Sequence, residues 1–163
     1  MPQVENEVII NAPVHEIYDY VSNTGNLTQI WPSLLEITHQ TLLPNGGYSY
    51  RWKYKMAGIR LSGIGESVNV EPNVLLRTRN IGDFESLATF TFQSYNNRTR
   101  VNLSFDYKLP LLLLTSNKLS ESIILRMNTK EAGLILDNLR IMFEDSVSPV
   151  PVPDKANHQT SPN

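Results

Sequence analysis

The chain has 163 residues, a formal net charge of −2, an apolar fraction of 40% and no cysteine. That length is one domain's worth and supplies a core. The charge offers no basic excess to neutralise phosphates, which sets nucleic acid aside as a partner, and the lack of cysteine excludes disulfides and thiolate chemistry.

Gln3 to Ile10 reads as a strand, with Val4, Val8 and Ile10 on one face and Glu5 and Glu7 on the other. Pro13 opens a short helix with Asn11 or Ala12 near its cap. Val14, Ile17, Tyr18 and Val21 form a single apolar stripe on it. Gly25 breaks that helix, a second short turn covers Asn26 to Trp31, and Pro32 ends it. Six strand-like segments follow, separated by turn signals. Leu35 to Leu42 comes first, and Pro44-Asn45-Gly46-Gly47 supplies a hairpin turn. Tyr48 to Met56 is next, and its period of two places Tyr48, Tyr50, Trp52, Tyr54 and Met56 on one face and Ser49, Arg51, Lys53 and Lys55 on the other. In Ile59 to Val70 the apolar phase slips, and Gly63 and Gly65 sit at the slip, where a bulge would curve the sheet.

Val74 to Ile81, Phe84 to Tyr95 and Arg98 to Leu109 complete the set. Phe84, Ala88, Phe90 and Phe92 share one face, as do Val101, Leu103, Phe105 and Tyr107. Asn117 to Asp145 reads as a helix roughly 40 Å long, with Asn117 as N-cap. Its apolar residues, including Ile123, Ile124, Met127, Leu134, Ile135, Leu139, Ile141 and Phe143, are too many for one narrow stripe and suit a helix lying in a concave sheet. After it comes a proline-rich, polar tail that cannot bury enough to order itself. The expected domain is therefore 1–146, with 147–163 a disordered tail. The order of strand, two helices, six strands and long helix packs as α+β: one antiparallel sheet against one helix.

Four segments resemble the START-like, helix-grip superfamily that includes polyketide cyclases/dehydrases and lipid-transfer proteins. They are Ile9-Ile10-Asn11-Ala12-Pro13-Val14-His15-Glu16-Ile17-Tyr18, Gly65-Glu66 through Val70-Glu71-Pro72, Thr99-Arg100-Val101 and Asp106-Tyr107-Lys108-Leu109-Pro110. Arg98 stands where that family usually has glycine. The resemblance covers Val4 to about Asp145. It implies a curved antiparallel seven-stranded sheet wrapped around the long C-terminal helix, with two short helices after the first strand. It also implies an apolar cavity between sheet and helix, used in that family for lipid, sterol, hormone or polyketide binding. A minority of the family catalyse cyclisation or dehydration. These are scaffold motifs and speak to fold far more than to activity.

Chemistry is sought along the chain and mostly not found. His15, His39 and His158 are not spaced with carboxylates as metal ligands are, so no metal and no cofactor is expected. Gly63-Ile64-Gly65 lacks the third glycine of a dinucleotide fingerprint, and Glu5 and Glu7 read as a solvated pair. Arg77 and Arg79 share a face that is read as outward, opposite Leu76. The expected ligand-binding residues are Tyr48, Tyr50, Trp52, Tyr54, Met56, Phe90, Phe92, Phe105, Tyr107, Met127 and Leu134, equally readable as plain core. Leu111, Leu112, Leu113 and Leu114 form a loop of leucines at the open end of the sheet. They read either as a lid on the core or as a gate over the cavity mouth, one that could touch a membrane transiently.

The leading functional expectation is a carrier of a small hydrophobic ligand. The alternatives are a cyclase or dehydratase that confines a reactive polyketide-like chain, with a tyrosine or arginine as acid or electrostatic partner, and a ligand-free interaction module whose interior is filled. Residues 1–7 are polar and acidic, unlike a secretory signal, and the longest apolar run, 109–114, is far short of the roughly 20 residues a membrane helix needs. A soluble, cytoplasmic protein is expected.

Overall fold

The computed structural model describes residues 2–109 and 120–147. Seven strands form one antiparallel sheet: β1 (Gln3–Ile10), β2 (Leu34–Leu42), β3 (Tyr48–Met56), β4 (Ile59–Glu71), β5 (Leu75–Gly82), β6 (Ser86–Tyr95) and β7 (Arg98–Tyr107), in the order β1-β7-β6-β5-β4-β3-β2. From β2 onward the sheet is a meander. Only β1 steps out of sequence, pairing with β7 from Gln3 opposite Asp106 to Ile10 opposite Thr99. Between β1 and β2 lie α1 (Val14–Ser22), a tight turn at Thr24–Asn26 and the short α2 (Leu27–Ile30). The long α3 (Glu121–Val147) packs along β1 and against α2. This is the helix-grip architecture.

Local chemistry accounts for the joints. Ile17, Tyr18 and Val21 of α1 are buried, as their spacing requires. The Thr99 hydroxyl, fully buried, donates to the Ala12 carbonyl at 2.8 Å and pins the entry of α1 to β7. The expected N-cap of the long helix, Asn117, lies outside the described residues. Ser120 instead accepts the Ile123 N–H through Oγ at 3.4 Å, the geometry of an N-cap hydroxyl. Farther along α3, Asn138 Nδ2 donates to the Ile30 carbonyl at 3.0 Å and fixes the helix on α2. The leucine run Leu111–Leu114 and residues 148–163 also lie outside the described residues.

Two sequence expectations need correction. The phase slip in β4 is real, but the register skips between Ser67 and Asn69, not at the glycines. Up to Ser67 the inward residues are Leu61, Gly63, Gly65 and Ser67; after the bulge Val70 turns inward. Gly63 and Gly65 serve a different end. They stand directly opposite Trp52 and Tyr50 in the β3–β4 register. A Cβ on Gly65 would lie 2.5 Å from Tyr50 Cζ, and one on Gly63 would lie 2.4 Å from Trp52 Cζ2 and 2.2 Å from the Ile81 carbonyl oxygen. The two rings lie down across backbone that carries no side chain. The second correction concerns α3, which turns Ile124, Asn128, Ala132, Ile135, Leu136 and Leu139 inward. Leu134 is 38% exposed, because it is about 100° around the helix from Ile135 and points away from the sheet.

Trp52→Ala should cost roughly 3–5 kcal/mol in a denaturant titration and Lys53→Ala less than about 0.5 kcal/mol. Gly65→Ala should also destabilise, and by much less in a Tyr50→Ala background, because its close contacts are all to the Tyr50 ring. Gly63→Ala should gain no such relief from Trp52→Ala, since the Ile81 carbonyl still blocks the new methyl. Strict additivity of the Tyr50 and Gly65 substitutions would contradict the contact.

Candidate functional site

Between the sheet and the α2 segment lies a cavity of about 50 Å³. Tyr50, Trp52 and Tyr54 supply one wall from β3, and Thr78 and Asn80 come from β5. Phe84, Ser86, Ala88 and Phe90 come from β6 and its approach, Phe105 from β7, and Leu27, Trp31 and Leu34 from the helical connection. The rings interlock: Tyr54 stacks on Phe84 at 6.2 Å between centroids, Phe84 on Phe105 at 5.9 Å, and Trp31 meets Phe105 edge-on at 5.8 Å.

The polar atoms in this wall are neutral. Tyr50 hydrogen-bonds Thr78 through its hydroxyl, and Asn80 Nδ2 donates to Ser86 Oγ at 3.0 Å. Trp31 Nε1 donates to the Tyr54 hydroxyl at 3.4 Å, a long contact. Trp52 differs. It is 5% exposed, and its Nε1 has no hydrogen-bond partner among the described residues. A buried donor left unpaired costs roughly 1–3 kcal/mol. Burial pushes the Tyr50 phenol well above its ordinary pKa, against a smaller opposing effect of the Thr78 bond. Burial does the same to Tyr54, reinforced by the negative charge of Glu131.

Tyr50, Trp52, Tyr54, Phe90 and Phe105, named from sequence, meet at this cavity. Tyr48, Met56, Phe92, Tyr107 and Met127 do not line it. Phe92 is covered by Tyr18 of α1 in an edge-on contact at 5.3 Å. Tyr107 is fully buried against Phe84 and Phe105, its hydroxyl unpartnered among the described residues. Met56 is buried, and Tyr48 and Met127 are half-buried at the edge of the core. Leu134 faces outward. Sequence reading missed the contribution of Leu27, Trp31 and Leu34, which reach the cavity from an irregular connection. It also missed Thr78 and Asn80, although Leu76 marks the inward face of β5 and a period of two carries that face to both.

Other candidates resolve into structure. Arg77 and Arg79 lie on the outer face, where Arg77 Nε donates to Thr89 Oγ1 at 3.1 Å. Glu5 accepts from Asn102 Nδ2 at 3.0 Å, and Glu7 lies 3.6 Å from Arg100. His15 and His39 are exposed, and His158 lies outside the described residues. Among the described residues no acidic, histidine or cysteine cluster could hold a metal, and no helix is long and apolar enough to cross a membrane.

The family described as polyketide cyclase / dehydrase and lipid transport matches residues 1–139. No curated protein matches the sequence at a significant level. Among solved structures, the chain is similar to a START superfamily protein from Mycobacterium smegmatis, with a TM-score of 0.74 at 15% identity, covering 89% of this chain and 99% of that one. It is also similar to the Zhui aromatase/cyclase from a Streptomyces species, with a TM-score of 0.72 at 15% identity, covering 90% and 96%. A Thermus thermophilus protein gives a TM-score of 0.73 at 18% identity, covering 90% and 100%. At these identities the likeness is one of fold.

The buried phenols set an alkaline limit. In the unfolded chain Tyr50 and Tyr54 ionise near their ordinary value of 10.0, whereas in the fold both hold their protons to higher pH. Below that value the two states bind the same protons. Above it the unfolded state binds fewer, so stability falls as pH rises, by up to about 1.4 kcal/mol per pH unit for each such tyrosine. Urea midpoints should be flat up to about pH 10 and then drop, and Tyr50→Phe should lessen the drop. A tyrosinate absorbance titration in which every tyrosine of the folded protein ionises normally would contradict this.

Proposed function

The chain belongs to the polyketide cyclase / dehydrase and lipid transport family, and on that footing we propose that it binds a small, flat, uncharged apolar molecule in the aromatic cavity between the sheet and the α2 segment, not against the long helix as the resemblance implies. The observation that carries this reading is a void lined mainly by aromatic rings, one of whose wall residues is the buried Trp52, its N–H unpartnered among the described residues. A ligand oxygen would satisfy the donor, and a planar ring would fill the space between stacked rings. The wall carries no charged side chain, which favours a neutral guest over an acid or an amine.

Size sets the guest. A void of about 50 Å³ holds a few waters, whereas sites for drug-sized ligands run to roughly 300–1,000 Å³. A single ring is therefore the starting scale, and anything larger enters only as side chains move. The Trp31 side chain is placed to move: it is half-buried, follows a four-residue helix and makes one long hydrogen bond, to Tyr54. In a cyclase or dehydratase, Tyr50 and the Trp52 N–H would serve as hydrogen-bond donors to a carbonyl, not as bases, since the phenol keeps its proton. The small void also favours a second reading, a ligand-free module whose interior is simply filled.

Thermal melting with acetophenone, a one-ring ketone, separates the two. The wild-type melting temperature should rise by several degrees at ligand well above Kd. Ala88→Val adds two methyl groups in the cavity wall and should abolish the rise while leaving the fold intact. A wild-type protein indifferent to acetophenone and to other one-ring ketones would favour the filled module.

A further inference from the structure

We propose that the cavity has a polar end, built from Asn128 and Glu131 of α3 with Tyr54 of β3, that receives a hydroxyl group of the bound molecule. This rests on the ligand-binding reading above and adds what the ligand must carry. A second void of about 10 Å³ adjoins the first; the two share Trp31, Tyr54 and Phe105, and the second adds the polar Asn128 and Glu131 beside the apolar Leu103, Ala132 and Ile135. That volume is about one water's worth.

Asn128 is out of character with its surroundings. It sits on the inward stripe of α3 with Ile124, Ala132, Ile135 and Leu139 and is 5% exposed. Its Nδ2 has no hydrogen-bond partner among the described residues. A leucine of similar bulk would pack there without an unpaired donor. Glu131, one turn along the same side of the helix, is half-buried and accepts the Ser33 N–H through Oε1 at 2.8 Å. A carboxylate accepts up to four such bonds, so capacity remains. Its charge is felt by the Tyr54 hydroxyl, which places it on the same void.

Asn128, Glu131 and Tyr54 thus line one space of about the size of a single oxygen. A hydroxyl suits Asn128 and Glu131 together, because it accepts from the first and donates to the second in the same position. A ketone meets Asn128 but sets its lone pairs against the carboxylate. A carboxylic acid's anion is repelled by Glu131, and a hydrocarbon leaves Asn128 unpaired. The ligand class is a neutral phenol or apolar alcohol whose ring lies among the aromatics and whose hydroxyl passes the Trp31 partition. Trp31 stands edge-on to both Tyr54, at 6.5 Å, and Phe105, at 5.8 Å, so its displacement joins the two spaces.

The test compares para-ethylphenol with para-ethyltoluene, a hydroxyl against a methyl in the same outline, by calorimetric titration of the full chain. The wild-type protein should prefer the phenol on the order of tenfold. Asn128→Leu should erase that preference while binding the toluene at least as well, and should melt no lower than wild type because it removes an unpaired buried donor. Equal wild-type affinity for the two probes, or a preference that survives Asn128→Leu, would overturn the polar end and leave Asn128 with a bound water only. Binding of neither probe would overturn the cavity reading and this proposal with it.

Discussion

The structure depends on two aromatic rings lying flat against glycine. Tyr50 rests on Gly65 and Trp52 on Gly63, each directly across the β3–β4 ladder. No other residue type leaves that space: a methyl group at either glycine would fall inside van der Waals contact of the ring. Gly82, at φ +138, continues the arrangement into β5, where its own Cβ would meet the Gly63 backbone at 2.6 Å. Two strands, β4 and β5, thus meet with their side chains removed, and the β3 rings take the vacated surface. This sets the floor of the cavity and holds the Trp52 indole in the wall.

Around that floor the rest follows from ordinary packing. Phe84, Phe90 and Phe105 continue the ring surface across β6 and β7, and α2 with Trp31 closes it from the other side. The helix α3 is held by side chains that reach across to the connection: Asn138 to Ile30 and Glu131 to Ser33. Glu131 thus ties the helix to the entrance of β2 while standing beside Tyr54. Fold stability and the chemistry of the cavity share residues, which is why the wall is polar only at chosen points.

Much of this was legible in the chain. Alternation in Tyr48 to Met56 shows the inward face of β3 directly, and two of the segments that carry the family resemblance, Thr99-Arg100-Val101 and the one with Ala12-Pro13, are joined in the structure by the buried Thr99–Ala12 hydrogen bond. What was not legible has physical causes. A glycine in a strand looks the same whether it makes a bulge or accepts a ring, and only the cross-strand register distinguishes the two. Leu134 misled because α3 carries apolar residues on both sides, Ile123 and Ile141 included, so composition alone does not set its phase. Trp31 and Leu34 come from a connection with no period to read. That Trp52 Nε1 and Asn128 Nδ2 have no partner among the described residues emerges only from the three-dimensional packing.

On the proposed reading the Trp52 N–H donates to an oxygen of the bound molecule. The chain has two tryptophans, so its indole N–H groups give two resonances, assignable by Trp31→Phe. Titration with acetophenone, followed in a nitrogen–proton correlation spectrum, reads the donor itself. The Trp52 indole proton should move downfield to a saturating limit as the ketone binds. A Trp52 resonance that stays in place while the ketone binds elsewhere, or through saturating additions with no binding at all, would contradict it.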